Sequence, residues 1–323
     1  ISEWDVSSAT NFSEMFNNTD SFNQDISSWN VSNGTDFENM FDSATAFNQN
    51  ISVWNTSKGK DFDSMFSGAD KMLAAGWSET PNASDFLGIT FSGTASADTL
   101  TGEDGNDVIN GSSANDVLIG GKGHDNYFVD SKDDSVIEKF LHEGIDTIYA
   151  SVTYTASSYV ENLTLTGTSN INGSGNYLDN TLIGNSGDNK LYGKDGDDEL
   201  FGRDGKDKIY GWKGEDIIYG EDGDDYLKGH SGKDKLYGGS GADILYGGTS
   251  ADELYGGEGD DELYGESSAD VLYGDAGADI LYGGTSADEL YGGEGNDKLY
   301  GESSADKLYG GAGEDTLYGG TSK

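Results

Sequence analysis

Gly238-Gly-Ser-Gly-Ala-Asp-Ile-Leu-Tyr246 is one of fourteen consecutive nonapeptides that run from Gly193 to Tyr318 without insertion or deletion, each of the form Gly-x-x-(Gly/Ser)-x-Asp-x-(Leu/Ile)-x. A period this strict gives every copy the same structural slot. The first half is rich in glycine, which tolerates positive φ and close backbone approach, and reads as a tight turn. The second half, Asp-x-(Leu/Ile)-x, reads as a short strand with the aliphatic residue inward and its neighbours outward. The sixth place is Asp in all fourteen copies. Stacking therefore brings carboxylates into files about 4.8 Å apart, one strand spacing, where they repel unless a cation lies between them.

The spacing and the residues at places one, four, six and eight resemble the nonapeptide repeat of the RTX (repeats-in-toxin) family of secreted proteins, whose parallel β-roll binds Ca²⁺. The resemblance implies two nonapeptides per turn, and multiple Ca²⁺ ions held between successive loops by the Asp and by loop carbonyls. A hard cation taking about six to eight oxygens suits that donor set. Carried onto this chain, one edge is Asp198, Asp216, Asp234, Asp252, Asp270, Asp288 and Asp306, and the other is Asp207, Asp225, Asp243, Asp261, Asp279, Asp297 and Asp315. A shorter block of four copies, 93–128, adds Asp98, Asp107, Asp116 and Asp125. Two degenerate copies open the long block, 175–323, with Asn180 and Asn189 in the sixth place, and should start the roll without a full ion site. The edges differ at the fourth place. It is Gly throughout the second edge, whereas the first changes from Gly232 onward to Ser250, Ser268, Ser286 and Ser304. Serine is less at ease than glycine in a left-handed backbone, so ion sites on the Ser edge are expected to be weaker or differently built. The ninth place is Tyr in every copy from Tyr237 to Tyr318. These rings read as cross-strand stacks, or as a surface for carbohydrate or lateral association.

Residues 1–76 follow another period. Trp4, Trp29 and Trp54 stand 25 residues apart, as do Phe12, Phe37 and Phe62, Met15, Met40 and Met65, and Phe16, Phe41 and Phe66. Three turns of a second solenoid are expected, with apolar ladders inside and a recurrent Asn23/Asn48 amide ladder. This repeat resembles the BspA-like surface-protein repeats of bacteria, a leucine-rich-repeat-like group, which implies a cell-surface protein and no chemistry. Residues 77–92 contain the only proline, Pro81, and read as a linker or cap. Residues 129–174 interrupt the nonapeptides with β-branched, alternating runs that read as strands continuing or capping the roll. The fold class is thus all-β: a parallel β-roll of nonapeptides preceded by a short leucine-rich-repeat-like solenoid. Both chain ends fall inside a repeat and read as cut from a longer protein.

The formal net charge of −42, from 60 Asp and Glu against 18 Lys and Arg, argues against nucleic acid and against an anionic membrane surface. No stretch is long and apolar enough for membrane insertion as a helix. With 34% hydrophobic residues and no cysteine, the chain is expected to fold only once its carboxylates are neutralised. His124, His142 and His230 lie far apart in no zinc spacing, and no nucleophile elbow or phosphate loop is present, so no catalytic site is expected. His230, in a variable turn place, should be exposed. The reading that follows is a secreted or cell-surface calcium-binding structural protein: surface layer, extracellular filament or adhesin; the RTX resemblance implies export by type I secretion. Its expected partners are copies of itself, other surface components, or glycans. The alternatives are a non-catalytic carrier region of a larger toxin or hydrolase, and a ligand-binding module displayed on a calcium stalk.

Overall fold

The eighth residue of each nonapeptide from Leu191 to Leu299 is at most 1% exposed, so a single aliphatic per copy forms the interior. The computed structural model describes residues 1, 4–51, 54, 56, 58–74, 81, 90–102, 105–139 and 144–321. Its contacts divide the chain into two units, residues 1–128 with 133–147, and residues 129–132 with 148–323.

In the second unit each nonapeptide ends in a strand that pairs in parallel with the strand 18 residues on. Glu199–Asp204 pairs with Ile217–Asp222, Leu200 opposite Ile218. Lys208–Lys213 pairs with Tyr226–Ser231, Ile209 opposite Leu227. Alternate copies therefore build two parallel walls, and the glycine-rich turns between them form two edges. Side-chain alternation along each strand puts Leu or Ile between the walls and the ninth residue outside. There the tyrosines stack. Tyr219, Tyr237, Tyr255 and Tyr273 follow one another at 4.8–5.0 Å between ring centroids on one wall, and Tyr264, Tyr282 and Tyr300 at 4.8–4.9 Å on the other. The second row breaks at Lys228, whose Nζ lies 5.0 Å from the Tyr246 ring centroid and 3.2 Å from Glu266. Strands from the interruption join this roll: Asn162–Leu165 pairs with Thr181–Ile183, and Gly173–Ser174 pairs with both Tyr154–Thr155 and Lys190–Asp195.

The first unit contains the shorter roll. Thr90–Ser92 pairs with Val108–Asn110, which pairs with Asn126–Val129. Thr99–Thr101 pairs with Val117–Ile119, which pairs with Ser135–Ile137. The last of these strands lies in the interruption and keeps the 18-residue register.

The described residues of 4–74 form the 25-residue solenoid, whose turns meet through the bridges Asn11 with Asp36 and Asp36 with Asp61 and through runs of backbone hydrogen bonds, such as Phe12 N–H to the Asp36 carbonyl and Phe37 N–H to the Asp61 carbonyl, both 2.8 Å. Its aromatic ladders are as spaced in sequence: Trp29 stacks on Trp54 at 6.3 Å, Phe12 on Phe37 at 5.2 Å, and Phe41 on Phe66 at 5.7 Å. The buried Trp54 indole donates to the Ile26 carbonyl at 3.0 Å, which satisfies its N–H. The asparagine ladder differs from the expected amide-to-amide form. Asn23 Oδ1 instead accepts the backbone N–H of Asn48 at 2.8 Å and the Gln49 side-chain amide at 2.9 Å. One helix, Asp70–Ala74, follows, with Met72 buried. Of the expected linker, residues 77–80 and 82–89 lie outside the described residues.

Candidate metal centre

On each edge the sixth-place Asp has its two oxygens in different roles. One is a ladder rung: the N–H of Asp198 donates to Asp216 Oδ1 at 2.9 Å, that of Asp216 to Asp234, and so on down the file. On the other edge Asp207 N–H donates to Asp225 Oδ1 at 2.7 Å and Asp225 N–H to Asp243. The second oxygen, Oδ2, is buried without any hydrogen-bond partner at Asp116, Asp125, Asp306 and every sixth-place Asp from Asp198 to Asp297. The carboxylates from Asp198 to Asp297 are at most 2% exposed.

Each orphaned oxygen faces a space kept open by the first-place glycine. The point where a Cβ would stand on Gly274 is 2.5 Å from Asp279 Oδ2 and 2.5 Å from the carbonyl oxygen of Gly292, one turn on. On Gly256 the same point is 2.5 Å from Asp261 Oδ2 and 2.7 Å from the Gly274 carbonyl. No side chain fits there. The first place is therefore Gly for room, whereas the fourth is Gly for conformation, at φ +135° in Gly259 and +150° in Gly277. Unpaired buried carboxylates are costly, and the cost shows in their titration. Burial, then the neighbouring Asp of the same file, pushes Asp198 and Asp270 up to about 8. Burial likewise pushes Asp216, Asp234, Asp243 and Asp279 up to about 7. Anionic oxygens facing backbone carbonyls in a closed space form the donor set of a hard divalent cation, and the residues present fit Ca²⁺.

The sites are not uniform. Asn180 and Asn189 have every amide atom bonded: Asn180 Nδ2 donates to the Val160 and Glu161 carbonyls, and its Oδ1 accepts the Asn176 N–H. Asn189 is closed in the same way, through Asn185 and the Ile171 carbonyl. Asp98 also differs, since its Oδ2 accepts from the Thr94 N–H and hydroxyl. Asp98, Asp306 and Asp315 are only half-buried. Two residues that sequence reasoning missed join the files. Asp134 Oδ1 accepts the N–H of Asp116, and Asp146 Oδ1 that of Asp125. Their signal was present: Asp134 lies 18 residues after Asp116, and both Asp134-Ser-Val-Ile137 and Asp146-Thr-Ile-Tyr149 keep the Asp-x-aliphatic-x half of the repeat.

The serine edge is looser. Ser250, Ser268, Ser286 and Ser304 keep positive φ, at +147°, +86°, +116° and +100°. Their N–H groups reach the next loop at 3.2–3.4 Å, against 3.0 Å at Gly196 and Gly214 and 2.7–2.9 Å at Gly205, Gly241 and Gly277. The added Cβ is the cause, because a Cβ at Gly259 or Gly277 would strike the carbonyl one turn back. A chain carrying Ser250→Gly, Ser268→Gly, Ser286→Gly and Ser304→Gly is expected to melt higher in calcium. About 1–2 kcal/mol of strain per serine outweighs the about 0.5–1 kcal/mol entropy penalty of glycine. An unchanged or lower melting temperature would refute this account of the edge.

Of the histidines, His142 lies outside the described residues. His124 Nδ1 accepts the Ile145 N–H at 2.9 Å. His230, expected to be exposed, is half-buried, its ring stacked 4.8 Å from that of Trp212. The two residues share the second place of copies one turn apart, so the same register that stacks the tyrosines stacks them.

Compared with known families, residues 92–127 and, in overlapping matches, 174–321 fit the model of the RTX calcium-binding nonapeptide repeat (4 copies). Residues 1–83 fit a family described as Mycoplasma protein of unknown function, DUF285. No curated protein matches the chain.

Proposed function

Because this chain belongs to the RTX calcium-binding nonapeptide-repeat family, whose model covers more than half of it, we propose that it is a structural protein of the bacterial exterior, stiffened by Ca²⁺ after export. Calcium binding is the family property; the place and the structural role are our reading. The observation that carries it is the pair of long files of buried, unpartnered Asp oxygens. A cytosol poor in calcium leaves those carboxylates to repel one another, and a net charge of −42 keeps such a chain open. Outside the cell, millimolar calcium closes it. A roll in which each turn contacts only its neighbours propagates from any nucleus, which suits a chain that folds after passing a secretion channel. The half-buried tyrosine rows on both walls supply ordered faces for contacts with further copies, other surface components or glycans. Among the described residues no helix is long and apolar enough to cross a membrane.

Sedimentation velocity and electron microscopy of the chain, with calcium and with chelator, test the structural reading. We expect self-association that appears only with calcium. A calcium-loaded chain that stays monomeric at high concentration would favour the role of a carrier region within a larger protein.

A further inference from the structure

A buried acidic cluster joins Asp125, the last sixth-place Asp of the short block, to Glu138 and Asp146 of the interruption, which belong to no matched repeat. Glu138 stands 18 residues after Gly120, in the place where every regular copy has its first-place glycine. Asp125, Glu138 and Asp146 are 1%, 8% and 4% exposed, and one carboxylate oxygen from each lies within 4.8 Å of the others. Asp125 Oδ2 has no hydrogen-bond partner. It faces the space over Gly120, where a Cβ would meet three oxygens: Asp125 Oδ2, the Tyr127 hydroxyl, and Glu138 Oε1 at 2.6 Å. In the long roll the equivalent space, over Gly274 for example, is walled by one Asp oxygen and one glycine carbonyl. In the interruption a carboxylate replaces the carbonyl. The Tyr127 hydroxyl donates to Glu138 Oε1 and so orients it, as outer-shell partners do for metal ligands. Glu138 and Asp107 both act on Asp125 with negative charge.

We propose that Asp125, Glu138 and Asp146 form a Ca²⁺ site of a different class from the repeated ones, built on three side-chain carboxylates, which fills at lower free calcium than the long roll. Ligand charge is a main control on calcium affinity, and this site sets three formal negative charges around one ion. Asp146 reaches the file across a spacing of 21 residues from Asp125 rather than 18, and the His124 Nδ1 bond to Ile145 N–H pins its loop on the preceding one. The site closes the interruption onto the short roll first and gives that roll a nucleus before the repeats load. The inference takes the identity of the ion and the ligand Asp125 from the calcium reading of the repeats, and adds Glu138 and Asp146.

Anomalous diffraction from crystals of the full chain, equilibrated against buffers of graded free Ca²⁺, locates the ions. The expected result is a peak among the three carboxylates that persists at free calcium about tenfold or more below the half-filling point of the long roll. In solution, equilibrium dialysis should show Glu138→Gln losing one ion from the tightest class, with the weaker class unchanged. Filled files beside an empty cluster would overturn the proposal alone. So would a cluster that fills together with the repeats, or a Glu138→Gln chain that keeps its tightest ion. Empty files and an empty cluster would overturn the calcium reading of the repeats as well.

Discussion

Removing calcium with chelator at pH 8 is expected to abolish the β-structure of residues 175–318 while leaving residues 4–74 folded. The two regions are held by different forces. The 25-residue solenoid has a continuous apolar core that includes Trp29, Phe37, Phe41, Phe47, Trp54 and Phe66, and among its described residues no buried side-chain polar atom lacks a partner. Burial of large aromatics contributes about 1.5–3 kcal/mol each, independently of any ion. The long roll has one buried aliphatic per nonapeptide and one buried, unpartnered carboxylate beside it. Breaking a buried ion pair by removing one partner costs about 3–5 kcal/mol, and the files repeat that loss at every turn. Net stabilities of whole domains are about 5–15 kcal/mol, so the metal-free roll falls below zero well before all its sites are empty. Far-UV circular dichroism should lose most of its β signal on chelation and regain it cooperatively with Ca²⁺. Mg²⁺ should not replace it, since that ion demands octahedral geometry and dehydrates reluctantly. Limited proteolysis in chelator should leave a resistant fragment from the N-terminal solenoid. A roll that keeps its β signal without calcium would defeat the reading of the Asp files as ion sites.

What the sequence could disclose here follows from what a period can fix. The 9-residue and 25-residue repeats fix which residues share a slot, and so the Leu interior, the two Asp edges, the tyrosine rows and the Trp and Phe ladders were all readable before any coordinates. A period does not fix which atom of the next turn a side chain meets. The division of the Asp from Asp198 to Asp297 into one rung oxygen and one orphaned oxygen depends on turn geometry. So does the choice of Asn23 Oδ1 to accept a backbone N–H rather than an amide. Insertions hide more. Asp134 keeps the 18-residue step and could have been counted, but Asp146 follows a three-residue excess, which breaks the alignment on which slot-reading depends. Glu138 was invisible for a further reason: a glutamate in a glycine slot scores as a defect of the motif. Its burial beside Asp125 emerges only when the strand Ser135–Ile137 is seen to keep its register with Val117–Ile119. His230 was misread because its second-place slot varies in sequence, and stacking on Trp212 depends on what the adjacent turn carries there.

Acidification should rescue the metal-free roll in part, and weaken the calcium-loaded one. An unfolded Asp titrates near 3.8, whereas burial raises the folded value to about 6 at Asp225 and Asp261, about 7 at Asp216 and Asp252, and about 8 at Asp198 and Asp270. Between these limits the folded chain holds protons that the unfolded chain has released. Folding without metal therefore takes up protons, and its stability falls as pH rises from about 4 to about 8. Below the lower limit both states are protonated and the penalty vanishes; above the upper limit it is complete. One unit of pKa corresponds to about 1.4 kcal/mol. A single unit per carboxylate, accumulated along two files, already reaches the scale of a domain's whole stability, about 5–15 kcal/mol. With calcium the dependence reverses, because the ion binds the deprotonated form and competes with protons. Ion affinity should drop as pH falls through 8 to 6. Circular dichroism of calcium-stripped chain should thus show more β-structure at pH 5 than at pH 8, while the calcium midpoint moves to higher concentration at the lower pH. Metal-free chain equally unfolded at both pH values would mean that proton uptake by the files is too weak to matter. In that case the ion must do more than neutralise charge: its carbonyl ligands would also have to hold the loops in their turn geometry, a role no proton can fill.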